Sequence, residues 1–358
     1  SELIFKIYER NESWKRRRLL QLISSFATSI LSIFLALNGF GVWALVIPST
    51  LQNLIFLYDL FFYHRWKFSL NLNWGKYKSA WIFGWYRISS LILQRGRVWI
   101  EPWLLIQFIL LADLGNFSRA LGLGQLLIYR IFVTTMLTIF PYISKLRDSD
   151  KEVSKRNNRL MTYLFLVLIP ITIGLSFYSP FVTALLYGDQ WFEVADMLKF
   201  LAFICFFQGL IHVLSQLALG EQNFRIPVWI DSVLLFIHSL PIFLGDLFSI
   251  EFYLKFILIS YALCALIVLM ILDLNLKILN IKKILNTALK ILFCCLPILI
   301  SMYFNEISFS VTLQPFIEIL VLIYLYLIFV RFLFDKELSE LINFASKFIV
   351  LRIIFFIK

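Results

Sequence analysis

Charge is scarce in this chain: Asp, Glu, Lys and Arg make up 15% of its 358 residues, against 61% hydrophobic ones. Soluble domains carry about a quarter of their residues charged. A mean hydropathy of +0.85 therefore excludes a water-soluble globule and leaves a polytopic, all-α membrane protein. Histidine is rarer still. His64, His212 and His238 sit in separate segments, which argues against a metal centre built from them; His64 reads as an interfacial residue beside Arg65 and Trp66. The four cysteines, Cys205, Cys264, Cys294 and Cys295, lie within apolar runs without metal-type spacing and read as packing residues. There is no HExxH, Walker loop or nucleophile elbow, and the LGLG at Leu121 to Gly124 has no strand before it, so it is no dinucleotide fingerprint.

What the chain does have is long apolar runs. Ten spans are expected at roughly 19–37, 42–62, 79–113, 117–143, 160–178, 194–219, 226–245, 252–273, 284–304 and 314–334, most of them near the ~20 residues that cross ~30 Å of hydrocarbon. The connections alternate in charge. One set, with the C-terminal tail, holds 26 of the 33 Lys and Arg; the opposite set holds Arg119, Lys199 and Lys255 among a larger number of acids. By the positive-inside rule the first set is cytoplasmic, and the net charge of +11 follows from topology. Basic residues scattered over six loops give no nucleic-acid stripe. The outer connections are short, the longest being Ser179 to Glu193, which leaves no room for a folded catalytic domain over a sugar acceptor. Residues 335–358 suggest an amphipathic helix on the cytoplasmic face, and a start at Ser1 with no signal peptide suggests an N-terminally incomplete sequence.

Function is to be sought where charge enters the membrane. The run from Trp81 to Arg119 carries Arg87, Arg95, Arg97 and Glu101 inside it. Each such charge costs about 2.5 to 3.5 kcal/mol at the bilayer centre unless it faces a polar interior. At 100° per residue Arg87, Gln94 and Glu101 form one stripe, with Arg97 beside it, and that stripe would line a cavity. Arg95 points away. Alternatively the segment lies in the interface with its arginines snorkelling. Pro102 removes a backbone donor and is expected to kink the helix. Arg130, in the next helix, is a further cavity candidate, whereas Asp113 and Arg119 flank an expected tight turn at Gly115 and read as structural. With no catalytic motif, the chain reads first as a transporter.

Four short patterns then occur in order: GFGVWALV at Gly39 to Val46; Phe83-Gly84 through Glu101 to LGNFSRA at Leu114 to Ala120; FPYISKL at Phe140 to Leu146; and GDQW at Gly188 to Trp191. Together they resemble the polysaccharide-unit flippases, the Wzx-type members of the multidrug/oligosaccharidyl-lipid/polysaccharide exporter superfamily. Glu101 and Phe117 stand where that family usually has Asp and Tyr.

The resemblance implies a two-lobed bundle of fourteen helices, about four of them preceding Ser1. On that basis residues 1–78 close the first lobe, 79–273 form a second six-helix lobe, 274–334 add two helices, and 335–358 are the tail. It implies alternating access in the bacterial cytoplasmic membrane. The substrate would be an undecaprenyl-diphosphate-type glycolipid, with membrane lipids and the polysaccharide polymerase machinery as partners and no cofactor. Arg87 and Arg97 are then candidate headgroup contacts, because a guanidinium offers paired donors and stays charged. Glu101 either pairs with them in the empty cavity or carries a coupling proton. Two rivals stand beside this reading: a multidrug or cation-coupled exporter, which would want an acidic cavity, and a non-transporting scaffold or membrane sugar enzyme.

Overall fold

The computed structural model describes residues 14–62, 74–145, 150–240, 249–304, 317–334 and 339. His64 and nearly all of the expected amphipathic tail fall outside them. The described residues are helical throughout, and the chain divides into two compact units, Ser1–Ser79 and Ala80–Lys358.

In the first unit, helices α1 (Trp14–Leu37) and α2 (Trp43–Phe62) form an antiparallel pair. Ser32 Oγ donates to the Ala44 carbonyl at 2.6 Å, and Gln52 Nε2 lies 3.4 Å from the hydroxyls of Ser24 and Ser25. These small polar residues let the helices approach and satisfy one another inside lipid. The reversal needs left-handed backbone at Gly39 (φ +76°) and Gly41 (φ +52°), which side chains with a Cβ rarely adopt. Leu22, Phe26, Ile30, Ile33 and Leu37 are all more than 60% exposed, an apolar exterior that water would penalise and lipid does not.

The second unit is organised round α8 (Phe192–Gly220). Its sequence is apolar on nearly all sides, and a helix of that kind is buried. Val194, Leu198, Ala202, Cys205, Val213 and Ala218 have essentially no exposure. Around it pack α4 (Leu111–Gly124), which runs through a π-helical turn at Gln125–Tyr129 into α5 (Arg130–Lys145); α6 (Asp150–Phe177); the short α7 (Ser179–Tyr187); α9 (Arg225–Ser239); and α10 (Ile250–Leu274). Tyr253, Ile257, Tyr261, Cys264 and Val268 give α10 a buried stripe at helical spacing, while Ile259, Leu263, Ile267 and Leu274 face outward. The loop after α10 is tied to α6, where Asn157 Nδ2 donates to the Ile278 carbonyl and the Asn280 amide donates to Asn158 Oδ1, both at 3.1 Å. The C-terminal span α13 (Ile317–Phe334), which follows α11 (Ile281–Cys294) and α12 (Leu296–Phe304), is fixed to α6 by Tyr326 Oη donating to the Leu166 carbonyl at 2.6 Å.

Six helices among the described residues are long and apolar enough to cross a membrane. Of the four other expected spans, 42–62 is the helix α2, and three take other forms. The expected span 79–113 is α3 (Trp74–Phe108), 35 residues that run through Pro102 and extend roughly 52 Å, longer than the hydrocarbon is thick. The expected 226–245 is a 15-residue helix as far as it is described, and the expected 284–304 breaks at Cys295 between α11 and α12. The expected turn at Gly115 is absent. Gly115 lies inside α4, whose real start is at Leu110, where the backbone is extended. Asp113 falls in the first turn of α4, where its charge suits the helix dipole. Arg119 is also in α4, with its guanidinium 3.9 Å from the Trp191 ring centroid. The outer connection from Ser179 is not a loop: α7 occupies it, followed by a 3-10 turn at Asp189–Trp191.

Two glycines set how closely α8 is approached. A Cβ on Gly209 would sit 2.0 Å from Phe132 Cδ2, and one on Gly124 would sit 2.8 Å from Cys205 Sγ. Gly209→Ala is therefore expected to cost about 1–3 kcal/mol by overpacking, seen as a lowered unfolding temperature in detergent. Combining it with Phe132→Leu should recover part of that loss; strictly additive losses would show that the two residues do not press on each other.

Candidate functional site

A cavity of about 270 Å³ opens between α3, the α4–π segment, α8, α9 and α10. Each helix brings polar residues at helical spacing into an otherwise apolar surface. From α3 come Arg87, Gln94, Arg95, Arg97 and Glu101; from the π turn Gln125 and Tyr129; from α8 Gln208, His212, Ser215 and Gln216; from α9 Asp231; and from α10 Tyr261. The π turn belongs to this arrangement, because such wide turns disturb the regular helix phase and recur at functional sites.

The helices hold α3 through polar bonds. Ser90, fully buried, donates to Asp231 Oδ2, and Gln94 Nε2 donates to the same oxygen at 3.0 Å. About two turns further along, Tyr253 Oη donates to Glu101 Oε1 at 2.8 Å. His238 is buried, with Nδ1 2.7 Å from the Leu234 carbonyl. Read as a donor there, Nδ1 carries a proton. Its Nε2 then faces Glu101 Oε1 at 3.8 Å and makes no hydrogen bond. Gln208 Nε2 donates to Tyr261 Oη at 3.1 Å, and the Arg97 guanidinium lies 5.9 Å from the Tyr261 ring centroid, within cation–π reach.

Arg87, Gln94, Arg97 and Glu101 thus all stand on the cavity wall, and Arg95 joins them although its place on the helical wheel points away from the stripe. Arg130 does not: its side chain is exposed at the head of α5, outside the lining. Glu101 does not close an ion pair with Arg87 or Arg97 among the described residues; it accepts a hydrogen bond from Tyr253. Asp231, the carboxylate nearest the middle of the arginine stripe, joins the lining from α9. Its signal was present, since Asp231 and His238 are seven residues apart on one face of α9, and Gln208, His212, Ser215 and Gln216 make a comparable stripe on α8.

With the histidines neutral, the lining carries three arginines against two carboxylates, a surplus of one positive charge. Neither Arg87 nor Arg97 makes a hydrogen bond or ion pair among the described residues. A guanidinium held in a polar recess without a partner is an anion receptor.

Fold and site define a multi-pass, all-α membrane protein built round a charged cavity. The chain belongs to the polysaccharide biosynthesis protein family, whose model matches residues 5–196. In three dimensions it is similar to a solved structure described as the lipid II flippase MurJ in an inward closed conformation. The TM-score is 0.62 at 18% identity, and the match covers 89% of this chain and 67% of the other. No curated protein matches it in sequence.

The Tyr253–Glu101 bond is expected to contribute measurably to joining α3 and α10. Tyr253→Phe leaves a partly buried carboxylate short of a donor, and a loss of about 1–3 kcal/mol is expected on thermal unfolding in detergent. An unchanged unfolding temperature would show that Glu101 is satisfied otherwise.

Proposed function

We propose that this protein is a flippase, and not an enzyme, that moves lipid-diphosphate-linked oligosaccharide repeat units across the bacterial cytoplasmic membrane for polysaccharide assembly. The observation that carries this reading is that Arg87 and Arg97 line one cavity and neither closes an ion pair or a hydrogen bond among the described residues. Family membership and the flippase-like fold support it.

A diphosphate cannot enter hydrocarbon by itself, because the desolvation cost of its charges is prohibitive. A cavity lined with guanidinium groups replaces the lost water with paired N–H donors, while the polyprenyl tail remains in the bilayer. Arg87 and Arg97 are ten residues apart, about 15 Å along α3, and both lie within coulombic reach of Asp231 between them. They would close on a headgroup from two sides. Glu101 accepts from Tyr253 and closes no ion pair with them among the described residues. Residues 79–273 would act as one lobe and residues 1–78 as the end of the other, rocking to expose the cavity to each side in turn. A multidrug or cation exporter is disfavoured by the surplus of positive charge on the lining.

Arg87→Ala and Arg97→Ala are each expected to lower surface polysaccharide roughly tenfold or more, the factor that corresponds to about 1.4 kcal/mol of lost headgroup binding. Membrane insertion should be unaffected, and lipid-linked repeat units should accumulate on the cytoplasmic leaflet. Normal polymer in both variants, measured by glycan staining of cells with equal protein levels, would remove the headgroup role from these arginines.

A further inference from the structure

We infer that Asp231 is a resident counter-anion of the cavity, competing with the substrate's diphosphate for Arg87 and Arg97 and so setting how readily the headgroup is released. This rests on the flippase reading above.

The carboxylate is placed for that role. Asp231 is only 7% exposed, yet it lines the cavity. Both of its protein donors, Ser90 and Gln94, bond to Oδ2, which leaves Oδ1 without a hydrogen-bond partner among the described residues. Arg87 lies about one turn before Ser90 on α3 and Arg97 about one turn after Gln94, so the carboxylate stands between the two cations along the helix. Both are within its coulombic reach, yet neither is ion-paired to it among the described residues. The cavity thus holds Arg87 and Arg97, neither ion-paired nor hydrogen-bonded among the described residues, and an anion bonded on one oxygen only, with two neutral donors drawing the anion back.

Such an arrangement has consequences for transport. A receptor of arginines alone would bind a diphosphate strongly on both sides of the membrane and let go slowly, and tight binding that is uniform along the path does not speed movement. A carboxylate in the same cavity can engage the arginines as the headgroup leaves, which lessens the unneutralised charge left in a poorly solvated place. The donors on Oδ2 set the balance. Stronger donation from Ser90 and Gln94 favours the arginines being free for substrate; weaker donation favours the Asp231–arginine contacts.

The test compares wild-type protein with Asp231→Asn, Asp231→Glu and Ser90→Ala, all reconstituted in liposomes. The probe is a fluorescent polyprenyl diphosphate, whose binding is titrated and whose crossing is followed by chemical quenching of the outer leaflet. Asp231→Asn keeps the size of the side chain and removes the competing charge; it should bind the probe roughly fivefold or more tightly and cross more slowly. Ser90→Ala should do the opposite to binding, because a carboxylate with one donor fewer engages the arginines more. Asp231→Glu should stay near wild type. A structural defect does not tighten binding, so tighter binding with slower crossing separates this role from damage to the fold. Wild-type crossing accompanied by unchanged or weaker binding in Asp231→Asn overturns the competitor role alone. Wild-type protein that neither binds nor moves the probe overturns the flippase reading itself, and this inference with it.

Discussion

A charge carried into hydrocarbon has no water to turn to, so every arginine and carboxylate within the bundle must find a partner in the protein, a polar recess or a ligand. That constraint explains how α3 is mounted. It is joined to α9 through Ser90 and Gln94 on Asp231, and to α10 through Glu101 on Tyr253. Among the described residues it makes few close backbone approaches to its neighbours. Its long polar side chains hold it at a distance, and the space they hold open is the cavity.

The opposite packing regime prevails round α8. There glycines at positions 124 and 209 let neighbouring helices close to contact with Cys205 and Phe132, and the buried surface is almost wholly apolar. Where lipid tails are as apolar as the helix faces, close fit and interhelical hydrogen bonds must supply the association that the hydrophobic effect supplies in water. The second unit therefore has a tightly packed side round α8 and a polar, spaced side along α3. The cavity lies where the two meet, with Gln208, His212 and Gln216 of α8 on its wall. A site that must exchange its contents is reasonably placed on the spaced side.

Electrostatically the cavity is close to balance but not balanced. Glu101 accepts from Tyr253 and closes no ion pair with the arginines among the described residues; Asp231 is engaged on one oxygen only. In a recess of low dielectric, small differences in who donates to whom decide whether a cation is available to a ligand. This is how a few hydroxyls and amides, Ser90 and Gln94 among them, come to matter for anion recognition without bearing charge.

Composition and spacing alone determined that the chain is helical and multi-pass, because scarce charge and long apolar runs are properties of residues taken in order. The same logic picked out Arg87, Gln94, Arg97 and Glu101, since charges recurring at helical period within an apolar run stand out against it. What lay beyond reach was decided between segments. Asp231 is a single acid in its helix, and its weight comes only from lying opposite Ser90 and Gln94, more than 130 residues away in sequence. Glu101 looked like a partner for nearby arginines, yet α10 brings Tyr253 to it first. Arg130 follows the π turn and lies outside the cavity lining, and Gly115 sits within α4, where the adjacent Asn116 bonds Glu193 across to α8. Local sequence reports what each helix carries on its faces; which faces meet depends on how the helices pack, and only the folded chain contains that.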